Sequence, residues 1–377
     1  MANRLYSIDS LRAVAIFFVV IAHVTPFLGF DSYGTTVFFL LDTIGQFDVP
    51  FFFVASGYFF AKSVDPDTVR EYAKYSVRKL SSLYSFGIIF ALTISALLAV
   101  VHGQPVWNTV FAQPIGQSSL LELFYYGDSI AIHLWFLLGL LYSLCFVSAF
   151  VAIGKQRYVL FVATLIHCVG IISRNYPMVF DIGLQTQDAL FFGFFYVALG
   201  FHLRKSDFSP TVANRRRYLG GICVFLLLQL LEQYLIAYHA NGLVFGQEIY
   251  FTEFTMSTAP LVFFIFAFAL ATPELGKGTI LPRLGTHAGG VYLVHLPVYH
   301  AVQAVQTGLV PIIGIELSST VLYQLLIAPV VYGLSLVVYL GLVNGRVIDP
   351  DGSHIPFVAL LRSRLRSRRS SGEPAAD

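Results

Sequence analysis

Apolar residues dominate this chain in runs of roughly 17 to 25, and short polar segments separate one run from the next. That length is what a helix needs to cross about 30 Å of hydrocarbon, and a helix satisfies its own backbone where water is absent. Ten such spans are expected, at about 11–30, 37–61, 80–102, 131–152, 157–173, 187–203, 218–238, 255–272, 286–306 and 319–343. The pattern predicts an all-α, polytopic transmembrane bundle. An even number of spans places both termini on one side.

Composition agrees with that pattern: of 377 residues, 56% are hydrophobic and only 12% charged. The net charge of +2 says less than the placement of the charges. Of the 23 Lys and Arg residues, all but Arg12, inside the first span, and Arg174, in an opposite loop, fall on the side that holds the termini. Lysine and arginine mark the cytoplasmic side, so both termini are expected in the cytoplasm of a cell-membrane protein. Topology thus accounts for the basic residues, and nucleic acid is not an expected partner. Cys145, Cys168 and Cys223 are too scattered for a metal cage or a disulfide framework and read as packing residues.

Residues 1–343 read as a single membrane domain, and 344–377 as a basic cytoplasmic tail without expected order. The run "RSRLRSRRSS" in that tail suits anionic lipid. No cleaved secretion signal is expected, because the first apolar run carries Asp9 and Arg12 at its base. The longest outer loop, 103–130, holds Glu122 and Asp128 but no Lys or Arg, and is rich in aromatics and Gln. Such a mixture fits a lid or a platform for sugar faces, and fits an interfacial aromatic belt equally well.

The stretch "SIDSLRAVAIFFVVIAHVTPF", residues 7–27, places Asp9, Arg12 and His23 in one membrane helix. At about 100° per residue, Asp9 and Arg12 lie a turn apart, and His23 returns to within about 20° of Arg12 after three turns. One face therefore carries all three, with His23 about 16 Å above Arg12. Ionisable residues in a span are costly against lipid, and they point to function by default. A neutral imidazole at His23 could take the proton of an attacking hydroxyl, or could itself attack an acyl group; spacing alone does not choose.

Four stretches in order strengthen the picture. "IDSLRAVAIFFVVIAH" (8–23), "DVPFFFVASGYFF" (48–60), "HLWFLLGLLYSL" (133–144) and "GGVYLVHLPVY" (289–299) together resemble the integral-membrane acyltransferase family, type 3. The resemblance covers essentially residues 4–343. It implies transfer of an acyl group, commonly acetyl, from cytoplasmic acyl-coenzyme A to a hydroxyl of a sugar or glycan precursor, free or lipid-linked, with no metal. On that reading His23 is the reacting group, and Asp9 and Arg12 organise the inner mouth or help hold the donor.

A donor with several phosphates needs cations, and the inner loop supplies Arg70, Lys74, Arg78 and Lys79. Here the family's Arg-x-x-Arg pair is not reproduced; Arg78-Lys79 is the nearest match. Ser56 with Gly57 either lets the second helix approach the first closely or offers a hydroxyl to the site. Asp42 and Asp48, flanking the outer half of the second span, are candidates to bind an acceptor hydroxyl or orient His23. His133 and Trp135 open the fourth span at the expected outer boundary, and His295 lies inside the ninth, where it needs a partner. His167, His202, His239, His300 and His354 have no matching context. No metal-ligand spacing and no phosphate-binding glycine loop occurs near these residues. The competing class is a glycan or solute exporter of the same architecture, against which stands the lack of paired broken helices in two matching halves.

Overall fold

The computed structural model describes residues 4–349 apart from 113–115, 117, 178, 184, 253 and 315. Almost all of the expected basic tail, including His354, lies outside the described residues. Twelve α-helices and no strand occur among those described: α1 (Tyr6–Val24), α2 (Ser32–Gly45), α3 (Asp48–Ser63), α4 (Val69–Val101), α5 (Trp135–Ala152), α6 (Val159–Asn175), α7 (Phe194–Lys205), α8 (Arg215–Tyr234), α9 (Thr258–Ala271), α10 (Leu281–Thr286), α11 (Ala288–Ile313) and α12 (Val321–Asn344). Each expected span falls on helical residues, and seven helical segments are long and apolar enough to cross a membrane. The fold is an all-α membrane bundle.

α1 sits inside it, packed by α2, α3, α9, α10, α11 and α12. Its first turns are fastened to the end of α9 and the loop that follows it: the Ser7 hydroxyl donates to the Ala269 carbonyl at 2.6 Å, and Ser10 to the Leu275 carbonyl at 3.3 Å. Its last turn ends earlier than the apolar run suggests. Pro26 cannot continue the ladder, and Thr25 and Phe27 take positive φ of 49° and 69°. The helix therefore stops one residue after His23.

The second expected span is broken. Pro50 has no N–H to give and its ring would meet the carbonyl of Gln46, so the chain ends α2 at Gly45 and restarts as α3 at Asp48. Proline is well tolerated in the first turn of the new helix. The Asp48 carboxylate accepts the Val49 N–H at that start.

Gly57 does not face α1, contrary to the expectation of a close approach there. A Cβ on Gly57 would strike the Val197 carbonyl, and one on Gly200 would strike the Val54 carbonyl. These two glycines let the α3 and α7 backbones touch, a contact that a membrane bundle uses in place of hydrophobic drive.

The 103–130 segment also departs from a simple outer loop. After α4 ends at Val101 the chain turns back along that helix: the Tyr84 hydroxyl donates to the Leu123 carbonyl at 2.7 Å, and Leu134 packs where a Gly87 side chain would be. Gly87 is about 21 Å down α4 from Val101 by helical rise. His133 and Trp135 thus enter α5 deep in the bundle, not at an outer boundary.

Candidate functional site

α1 presents two different environments at its two ends. At the charged end, Asp9 lies between two guanidinium groups: Arg4 Nε is 2.8 Å from Oδ2, and Arg12 Nη1 is 3.3 Å from Oδ1. Arg12 also lies 5.2 Å above the Phe59 ring, and Arg204 lies 5.5 Å above the neighbouring Tyr58 ring and donates to its hydroxyl at 3.3 Å. Each guanidinium thereby meets an aromatic face, an arrangement that offsets part of the cost of withdrawing it from water. Lys205 donates to the Val64 carbonyl at 2.6 Å and ties the end of α7 to the end of α3.

The same end carries the first turns of α4. Arg70, Lys74 and Arg78 are exposed and follow one another at intervals of four residues, so they form one stripe drifting about 40° per step. Lys79 is half-buried and turned about 100° away from Arg78. Three of the four expected donor-binding cations are thus brought together and the fourth is not.

At the other end of α1, three histidines from distant parts of the chain meet. The His23 and His295 rings are 4.9 Å apart between centroids, His133 and His295 are 5.0 Å apart, and His23 and His133 are 6.4 Å apart. All three contacts are edge-on. His133 arrives on the segment that turns back along α4, and His295 lies eight residues into α11. Tyr292, one turn before His295, donates its hydroxyl to the His133 carbonyl and packs against Phe136 at 5.4 Å. Tyr299 donates to the Val24 carbonyl at 3.3 Å, which joins α11 to the end of α1.

Each ring commits one nitrogen to the backbone. His23 Nδ1 meets the Val19 carbonyl at 2.8 Å, His295 Nδ1 meets the Tyr292 carbonyl at 2.8 Å, and His133 Nε2 meets the Leu293 carbonyl at 3.4 Å. A carbonyl only accepts, so those nitrogens carry the protons and the other nitrogen of each ring keeps its lone pair. His295 Nε2 and His133 Nδ1 are buried with no hydrogen-bond partner among the described residues. His23 is half-buried, whereas His133 is 1% and His295 0% exposed, so His23 is the most accessible ring of the three.

The remaining expected residues scatter. Trp135 points into an aromatic group with Phe53 at 6.3 Å and Phe192 at 5.8 Å, away from the histidines. Ser56 and Asp42 are half-buried, and Asp48 is buried at the start of α3. Sequence reasoning missed Arg4, which holds Asp9, and Tyr292, which holds the His133 backbone. It also left His167 unassigned; that ring stacks on Phe195 at 4.3 Å and bonds the Phe191 carbonyl at 2.7 Å, a packing role far from α1 in sequence. Among the described residues no group of three His, Cys, Asp or Glu side chains is arranged to hold a metal ion.

Helices long and apolar enough to cross a membrane, with three imidazoles gathered between them, define an integral-membrane helical protein with a histidine cluster in its interior. A family model described as an acyltransferase domain matches residues 5–340, and the chain belongs to the type 3 acyltransferase family. The protein is therefore an acyltransferase moving groups other than aminoacyl groups. No curated protein and no solved structure matches it.

Proposed function

We propose that this acyltransferase moves an acyl group, acetyl above all, from cytoplasmic acyl-coenzyme A to a hydroxyl of a sugar or glycan precursor, with His23 as the side chain that meets the reacting atoms. The observation that carries the reading is the meeting of His23, His133 and His295, which come from three of the four stretches that resemble the family. In this reading the charged end of α1 and both termini face the cytoplasm of a cell-membrane protein. The Arg70, Lys74 and Arg78 stripe meets the phosphates of the donor, and Arg12, above Phe59, guides its arm toward the interior.

The bond from His23 Nδ1 to Val19 supports two routes equally, since both need a lone pair at Nε2. In one, Nε2 takes the proton as the hydroxyl oxygen attacks the thioester carbonyl; a C–O bond forms, the C–S bond breaks, and the thiolate leaves and is then protonated. In the other, Nε2 attacks the thioester carbonyl, a C–N bond forms and the C–S bond breaks to release the thiolate; the hydroxyl oxygen then attacks the acyl-imidazole, a C–O bond forms as the C–N bond breaks, and the hydroxyl proton passes to the thiolate. Asp42, Asp48 and Ser56 are the candidates to bind the acceptor in this reading.

The test uses purified protein in nanodiscs with acyl-labelled coenzyme A and a panel of glycans. Label appearing on a glycan hydroxyl supports the proposal, and label retained on the protein but lost in His23→Ala supports the acyl-imidazole route. A donor that neither binds nor turns over at any chain length, with glycans supplied, overturns it in favour of glycan export.

A further inference from the structure

Two buried lone pairs lie behind His23, and neither route of acyl transfer through that ring alone uses them. His295 Nε2 and His133 Nδ1 are acceptors without donors, on rings that are 0% and 1% exposed. An unpaired buried acceptor is destabilising; His167 Nε2 is one as well, but it stands among aromatic rings, whereas these two lie on neighbouring rings that both pack against the more accessible His23. Neither ring can turn to relieve the deficit without giving up its bond to Tyr292 or Leu293. The deficit is removed only by a donor that arrives in the cluster.

Acyl transfer delivers such a donor. Once His23 Nε2 has taken the proton of the attacking hydroxyl, the ring carries an N–H on each nitrogen, and Nδ1 is already committed to Val19. The new N–H needs an acceptor in an interior with few others. The His295 ring lies 4.9 Å away, edge-on, and its Nε2 is free. At that separation an N–H on one ring reaches the lone pair of the other directly or through one water. The titratable groups around His295 are His23 from α1, His133 from the segment before α5, and Tyr292 and His300 from α11 itself. Tyr292 is occupied with the His133 carbonyl, and His300 is exposed.

We propose that His295 is a positioning residue for the acyl transfer, acting through His23 by sharing the proton that His23 takes from the acceptor hydroxyl, with His133 as the next ring in the same relay. The inference rests on the assignment of His23 as the group that meets the reacting atoms, and within it on the route in which Nε2 takes the hydroxyl proton. The step balances: the hydroxyl O–H breaks as the new C–O bond forms, the proton passes to His23 Nε2 and is shared with His295 Nε2, and the C–S bond breaks. The departing thiolate then takes the proton, and the rings return to their starting state. Holding the proton between two imidazoles keeps it in the site until the thiolate is ready.

The experiment compares wild type with His295→Asn and His295→Gln in nanodiscs. Asparagine can keep the donor toward the Tyr292 carbonyl but cannot take up a proton, and glutamine can offer an acceptor near Nε2 without titrating. Both are expected to lower kcat about 10²-fold with the donor KM held, and to shift the pH profile of kcat, because a general acid–base contribution of about that size is removed. In wild type, a proton inventory in mixed light and heavy water is expected to curve, with more than one proton in flight. That second measurement needs no variant to fold. A linear inventory, or variants with kcat within a few-fold of wild type, or a lowered kcat on an unchanged pH profile, overturns the relay. Wild type that transfers no acyl group overturns the His23 reading as well, whereas active wild type with insensitive variants overturns the relay alone.

Discussion

The two ends of α1 carry the same kind of residue in opposite states. At the charged end, Asp9 is held by Arg4 and Arg12, and each partner has an opposite charge within 3.3 Å. Near the other end, about 16 Å from Arg12 by helical rise, three imidazoles meet, and two of them, His133 and His295, keep buried lone pairs without donors among the described residues. A saturated cluster has committed its interaction energy to holding the fold together. An unsaturated one keeps that capacity for something that arrives later. Intramembrane ionisable residues on one helical face therefore need not serve one purpose. In the proposed reading one set chiefly fixes how α1 sits, and the other is open to chemistry.

The largest effect expected from this contrast is on catalysis. His23→Ala should lower acyl transfer by about 10²- to 10⁴-fold while the solubilised protein keeps its melting behaviour. A variant as active as wild type would erase the distinction between the two ends. Packing comes next. Gly200→Val drives a side chain into the Val54 carbonyl, so α3 and α7 must separate, and a loss of about 3 kcal/mol in thermal or denaturant unfolding is expected. An unchanged midpoint would show that this backbone contact does not hold the scaffold.

Asp9→Asn should cost about 1–2 kcal/mol of stability, because two guanidinium groups lose a shared partner in a partly buried place. Stability measured alongside single-turnover rates sharpens the comparison, since the saturated end should respond in the first quantity more than in the second. Arg78→Ala on the α4 stripe is exposed and screened, and a rise in donor KM of only a few-fold is expected, about 0.5–1 kcal/mol. Double replacement with Lys74 should roughly compound it.

The smallest effect belongs to the turn between α3 and α4. The Thr68 backbone N–H and hydroxyl hold the Asp65 carboxyl below the usual range, at 2.9 Å each. A depressed carboxyl contributes order above its unfolded pKa and loses it as pH falls through the folded value. Amide protection over residues 65–72, taken relative to the intrinsic exchange rate at each pH, should therefore fall on acidification in wild type. In Asp65→Asn it should be low at every pH.

Much of this was legible in the chain. Apolar run length placed each expected span at least partly on helix, and helical arithmetic put Asp9, Arg12 and His23 on one face, because both depend only on local spacing. Tertiary facts were not. Nothing local shows that Gly57 meets Val197 on α7 and not α1, since any small residue allows close approach without naming the partner. Pro50 did carry a readable signal, and the break before α3 follows from it. The depth of His133 was hidden for a different reason. A polar, aromatic stretch after a long span reads as an outer loop, and only the Tyr84 and Gly87 contacts reveal that it turns back. Arg4 as the partner of Asp9 was within reach, being five residues away, but Arg204 above Tyr58 was not.

The most direct measurement is single-turnover transfer from acyl-labelled coenzyme A in nanodiscs, run on wild type, His23→Ala and Asp9→Asn at matched amounts of folded protein. The expected result is a chemical step slowed at least about tenfold more by His23→Ala than by Asp9→Asn. Equal losses at both positions, or a greater loss at Asp9, would contradict the assignment of chemistry to the histidine cluster.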